Sequence, residues 1–192
     1  AVSYDSQSVD GRLPTTNNQP SWVGEGFELT SSYIERSYAS CDQDAEGSNS
    51  SELTGMGDLC WKNDNASLVL NGVSNELVKD GDVWRLSSDD ASVVTRIKDS
   101  GESKTENGAR DGEHWQLTTS DGTRYVFGAN QIDGAGDRRT NSTWTVPVFG
   151  DDLDEPCHGK TFAESWCVQG WRWNLDYVVD THQNVSTYWY TK

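Results

Sequence analysis

The strongest constraint on this chain is the spacing of its apolar side chains. From Ser67 onward they come in short runs that alternate with polar residues and are cut apart by turn residues. Successive side chains on a strand point to opposite faces, so such runs specify half-buried β-strands. Residues 67–70 and 76–79 are short strand candidates; Lys79, Asp80, Gly81 and Asp82 form a turn, and 83–87 pairs back on 76–79. A turn at 88–91 leads into 92–97, where Val93, Thr95 and Ile97 share a face. The clearest hairpin sets Trp115, Leu117 and Thr119 against His114, Gln116 and Thr118, turns at Asp121-Gly122, and returns with Tyr125 and Phe127 alternating with Arg124 and Val126. Near the end, Trp171, Trp173, Leu175, Tyr177 and Val179 read as a core face, and Arg172, Asn174, Asp176 and Asp180 as a wet one. A turn at 181–184 leads into 185–190, where Thr187 and Trp189 oppose Tyr188 and Tyr190.

Residues 1–20 are polar and without period, and the charged, Gly-rich stretch 99–112 reads as a long exposed connection. Only 160–169 could form a helix, with Thr161 and Glu164 spaced as a capping box. The expected fold is therefore all-β, an antiparallel β-sandwich or assembly of β-hairpins with at most one short helix. It divides into an extended arm over 1–20 and a single β domain over 21–192, with order beginning at Trp22.

Composition decides whether such strands can enclose a core. Eleven Leu, three Ile, sixteen Val and four Phe in 192 residues, with a net charge of −16, would ordinarily mark a disordered chain. Nine Trp and seven Tyr reverse that reading, because each buries a large area and few are needed. The acidity argues against nucleic acid and anionic lipid as partners. Arg138-Arg139, the one adjacent basic pair, reads as a solvated loop tip. No apolar run approaches the roughly 20 residues needed to span a bilayer, so membrane insertion is not expected. The start at Ala1-Val2-Ser3, without Met, reads as that of a mature or trimmed product.

Cys41 lies near Cys60 and Cys157 near Cys167. A zinc site would want CxxC-like spacing with His, and only His158 adjoins a Cys, so disulfides in an oxidising compartment are expected. Four Cys allow three connectivities; local pairing orders the least loop and is the choice. Sequons at Asn49, Asn65, Asn141 and Asn184 matter only in a glycosylating host.

Trp173-Asn174-Leu175-Asp176-Tyr177-Val178-Val179-Asp180, Asn184 and Tyr188-Trp189-Tyr190 resemble the RHS/YD-repeat family, whose members repeat a strand, an Asp-x-x-Gly-Asn turn and a Tyr-x-Tyr strand. Gln183 stands where the family has Gly, so here a side chain must accept φ > 0. Asp121-Gly122-Thr123-Arg124-Tyr125-Val126-Phe127-Gly128 is a looser echo. The stretches 19–26, 33–38 and 144–150 are similar to the region upstream of the repeats in large secreted actinobacterial RHS proteins. In teneurin-like and polymorphic-toxin members the repeats build a hollow β shell, and this chain ends where such a shell would begin. The resemblance implies a noncatalytic secreted or cell-surface module preceding an RHS-type shell, serving docking, assembly or surface binding. Its partner would be the rest of that polypeptide, or a second copy through the C-terminal edge strand.

Chemistry offers two further readings. Asp151, Asp152, Asp154 and Glu155 crowd one loop, a pattern that fits solvated acids first, calcium second and catalysis last. No cofactor other than calcium is indicated. His114, His158 and His182 sit in no nucleophile motif and read as surface or turn residues. Tryptophans stack on sugars, and Trp61, Trp166 and Tyr188 are the candidates least tied to the core by alternation. A carbohydrate-binding module is thus the alternative function, and a glycan-cleaving enzyme the third.

Overall fold

The alternating runs pair into one sheet that closes on itself. The computed structural model describes residues 2–4, 27–44, 48–49, 57–81, 83–88, 90–99 and 106–191. The readings placed on 5–26, Trp22 included, and on parts of the loops over 41–59 and 99–112 lie outside the described residues. The strands are β1 (Val2–Tyr4), β2 (Phe27–Leu29), β3 (Tyr33–Glu35), β4 (Ala39–Ser40), β5 (Leu59–Cys60), β6 (Ser67–Leu70), β7 (Val73–Asp80), β8 (Val83–Leu86), β9 (Val93–Ile97), β10 (His114–Thr118), β11 (Arg124–Phe127), β12 (Thr143–Phe149), β13 (Trp166–Val179) and β14 (Val185–Thr187). β1 pairs with β2 apart from the main sheet.

Eight strands in the order β11-β10-β9-β8-β7-β6-β3-β13 close into an antiparallel barrel because β11 also pairs with β13. Closure removes most sheet edges. β13, fourteen residues long, then carries β12, β5 and β4 beyond the barrel and β14 at its C-terminal end. The β5–β12 contact is parallel. Short hairpins set the registers: β6 and β7 join through Asn71 and Gly72, both at positive φ, the two-residue turn that matches strand twist. The all-β expectation holds, and the closed form is a barrel.

Tryptophans fill the barrel. Trp84, Trp115 and Trp173 form an edge-to-face chain with centroids 5.5 and 5.7 Å apart, surrounded by Ile34, Leu68, Leu117 and Phe127. The Trp173 indole donates to the Glu113 carbonyl at 2.7 Å, whereas Trp115 Nε1 has no partner. Gly128, at φ 74°, passes so close that a Cβ there would overlap the Trp173 ring.

Several expectations are corrected. On β9 Val93, Thr95 and Ile97 do share a face, but the face turned into the barrel is that of Val94 and Arg96: Val94 is fully buried, and the Arg96 guanidinium lies over Trp84 and Trp115 while pairing with Asp64. On β13 the supposed wet face is covered, with Asn174 and Asp176 buried. The cause is that β11 and β12 pair with successive parts of β13, handing over at Asn174, and the connection between them folds across that face. Register shifts at both pairings also break strict alternation. The helix over 160–169 is only a 3-10 turn at Phe162–Glu164, and Thr161 makes no side-chain cap. Ser165 captures the local backbone instead, accepting from Gly159 N and donating to Thr161 O, and β13 takes the chain from Trp166. Within the stretch read as an exposed connection, Asn107 is buried, and its amide donates to Glu113 O and Gly128 O.

Cys41–Cys60 and Cys157–Cys167 are both disulfide-bonded, as local pairing requires, and no cysteine is free. Two disulfides fit an extracellular protein. No helix among the described residues is long and apolar enough to cross a membrane.

Trp173→Ala should cost about 3–5 kcal/mol through the cavity it leaves. Gly128→Ala should cost about 2 kcal/mol or more through overlap and strain. Urea denaturation measures both, and a Gly128→Ala variant as stable as the wild type would contradict the close approach.

Candidate functional site

Two places concentrate chemistry, and they lie at opposite ends of β13. Trp166 begins the strand beside Phe149, and Tyr188 N donates to Asp176 O ten residues further on, a separation of about 30 Å at strand rise. Trp61 N donates to Phe149 O, so Trp61 belongs with Trp166 at the first end. The three sequence-derived ligand candidates therefore do not form one site. Trp61 is half-buried against Tyr38 and the Arg36 guanidinium, Trp166 is exposed, and Tyr188 alone lines a groove.

That groove, of about 520 Å³, opens where the approach to β3, the Asn71 turn, β13 and the C-terminal segment meet. Its aromatic lining is Tyr125, Trp144, Tyr188, Trp189 and Tyr190; its polar lining includes Ser31, Ser32, Asn71, Arg172 and Asn174. Trp144, Tyr188 and Trp189 are 41%, 42% and 39% exposed. Their rings are held by cations and neighbours. Arg138 lies 4.3 Å from the Trp189 centroid, and Arg172 lies over Tyr33 at 3.4 Å and near Trp144 at 5.4 Å. Arg138 and Arg139 are accessible to solvent in this loop, where Arg138 packs on Trp189 and Arg139 pairs with Glu106. Tyr190 is structural, its hydroxyl donating to Leu175 O and its backbone N to Thr140 O.

The turn that feeds this segment is closed by the Asp180 carboxylate. Asp180 accepts from His182 N and from the backbone and side-chain nitrogens of Asn184, and Gln183 takes φ 66°. Among the described residues β14 pairs only with β13, and its three residues are exposed. No carboxylate lines the groove among the described residues. Asp176 nearby is turned into the fold, where it accepts from Ala129 N and Thr140 Oγ1.

The second place is acidic. Asp151 is 1% exposed, with both carboxylate oxygens unpartnered, so the solvated-loop reading fails for it. Asp152 and Asp154 are exposed and Glu155 is half-buried, its Oε2 accepting from Asp152 N. The structure adds Asp44, which no local pattern could link to 151–155: it arrives through the Cys41–Cys60 loop, docked by Ser48 and Asn49 onto Asp151 O. Burial, then the neighbouring Asp151, Asp152 and Asp44, pushes the Glu155 carboxyl up to about 7. Burial likewise raises Asp151 and Asp44.

The remaining sequence candidates are structural. His114 and His158 bond backbone carbonyls of Gly112 and Gly150, and His182 is exposed in its turn. Each sequon asparagine spends its side-chain nitrogen on a protein acceptor, as Asn49 does on Gly159 O and Asn141 on Tyr190 O.

Burial raises Asp176 to about 6 against the bonds from Thr140, Ser142 and the backbone that favour its ionised form. Native carboxyls held above their unfolded values hold protons that the unfolded chain has released, so their stability is present near pH 4 and lost as pH rises through 6 to 7. In chelator, the melting temperature should therefore be several degrees lower at about pH 8 than at about pH 5. Asp176→Asn should flatten that profile; a melting temperature that rises over this window would contradict it. Comparison with known proteins gives no match to any family model, curated protein or solved structure.

Proposed function

We propose that this chain is a noncatalytic binding module of a secreted or cell-surface protein, and that it holds a carbohydrate in the groove beside Trp144, Tyr188 and Trp189. The observation that carries the reading is the grouping of three half-exposed aromatic rings with amide, hydroxyl and guanidinium groups in one cleft. Sugar rings present apolar C–H faces that stack on indoles and phenols, while their hydroxyls take hydrogen bonds from groups such as Asn71 and Arg172. Binding without hydrolysis is the form that suits a cleft free of carboxylates, because glycosidases place two of them across the scissile bond.

A second reading keeps the expectation drawn from the RHS resemblance: docking onto an RHS-type shell, or onto a second copy, through the C-terminal strand. Its support is the exposed β14, which has a single strand neighbour among the described residues. An unpaired edge is a ready template for another strand.

Affinity electrophoresis and calorimetry with cellohexaose, chitohexaose, xylohexaose and mannohexaose test the first reading. At least one should bind, and Trp144→Ala or Tyr188→Ala should weaken it about tenfold, or about 1.4 kcal/mol, without lowering the melting temperature appreciably. Binding to none of them, together with sedimentation as a dimer that Tyr188→Lys dissociates, would replace this reading with the docking one.

A further inference from the structure

We propose that Asp44 and Asp151 bind one calcium ion, with Asp152 and Glu155 adding negative charge around it, and that the ion ties the Cys41–Cys60 loop to the turn that follows β12. The site lies at the opposite end of β13 from the groove and stands independently of what the groove binds.

The two loops already touch. Ser48 Oγ donates to Asp151 O at 2.8 Å, Ser48 N to Asp152 Oδ1 at 3.3 Å, and Asn49 Nδ2 to Gly159 O and Ser165 Oγ. Gly150 permits the tight turn, since a Cβ there would overlap Pro156 O. This docking brings the Asp44 carboxyl group to that of Asp151. Oxygens of Asp44 and Asp151 lie within 4.8 Å of each other, a span that one ion with metal–oxygen bonds of about 2.4 Å bridges. Cys60 Sγ shares that space but is bonded to Cys41, which leaves an all-oxygen set.

Acid clusters are common on surfaces, and crowding alone identifies nothing. What singles this one out is Asp151, whose side chain is removed from solvent with neither oxygen accepting a hydrogen bond. A buried carboxylate without a partner is costly, and its natural partners are hydrogen-bond donors, cations or metals. Among the described residues, Asp44, Asp151, Asp152 and Glu155 act on one another as like charges, and His158 lies beside Asp151. Hard oxygen ligands without nitrogen or thiolate suit calcium, and an irregular set of loop carboxylates fits its flexible coordination better than the strict octahedron of magnesium.

Equilibrium dialysis of the full chain against radioactive calcium tests the site. One ion per chain should be retained, with a dissociation constant of about 0.1–1 mM, the range of extracellular modules. Asp151→Asn and Glu155→Gln should each weaken retention about tenfold or more. Calcium at about ten times its dissociation constant should raise the wild-type melting temperature by about 3–6 °C and that of Asp151→Asn not at all. In chelator, Asp151→Asn should be at least as stable as the wild type, because it removes an uncompensated buried charge; a carboxylate serving only the fold would give the opposite. Should that variant fail to fold, Glu155→Gln carries the comparison. No retained calcium, equal retention by wild type and both variants, or equal affinity for magnesium overturns the proposal.

Discussion

The architecture depends on where one buried cation goes. Arg36 leaves β3 with its guanidinium fully enclosed, makes two bonds to Glu113 at 2.7 and 3.2 Å, and lies between the rings of Trp61 and Trp173 at 5.1 and 5.2 Å. A charge taken out of water is tolerable only with such bidentate pairing and enclosing π faces. Glu113 is fixed in turn, because its carbonyl accepts both the Trp173 indole and the Asn107 amide. This small set of groups joins β3, β13 and the entry to β10 at one point inside the barrel. Loss of Arg36 would leave the buried Glu113 carboxylate without its cation, whereas loss of Glu113 would leave Arg36 with the more distant Asp64 and Asn65 O.

From that point the long strand β13 organises the rest. Its second half closes the barrel against β3 and β11, while its first residues reach beyond it to carry β12. β11 and β12 share it in succession, and the residues between them fold over Asn174 and Asp176, which explains why polar side chains on that face are dry. The beginning of β13 carries the disulfide loops and the acids. Its end carries the C-terminal aromatic segment and the groove. A rigid strand thus separates two chemically unlike surfaces, one anionic and one aromatic.

Much of the fold was legible because period-two alternation survives in short hairpins. β6 and the β10–β11 hairpin fall where Ser67 to Leu70 and Trp115 to Phe127 place them, and the two disulfides pair locally. Long-range packing was not legible. Nothing near Asp176 in sequence announces that Ala129 and Thr140 will cover it, nor does alternation on β9 reveal that Arg96 points inward to lie on Trp84 and Trp115. The candidate sites divide in the same way. Tyr188 stood out because alternation ties it least to the core, but Trp144 joins it and the adjacent Trp189 only through tertiary structure, and Asp44 meets Asp151 only through the docking of two loops.

The central claim is that the tryptophans divide into dry ones that hold the barrel and wet ones that hold a ligand. Nitrogen-edited NMR of the indole N–H groups, during titration with the tightest-binding oligosaccharide of the tested series, reads that division directly. The account predicts that the signals of Trp144 and Trp189 move with saturation while those of Trp84, Trp115 and Trp173 stay in place. Shifts confined to Trp61 and Trp166, or spread evenly over buried and exposed indoles, would contradict it.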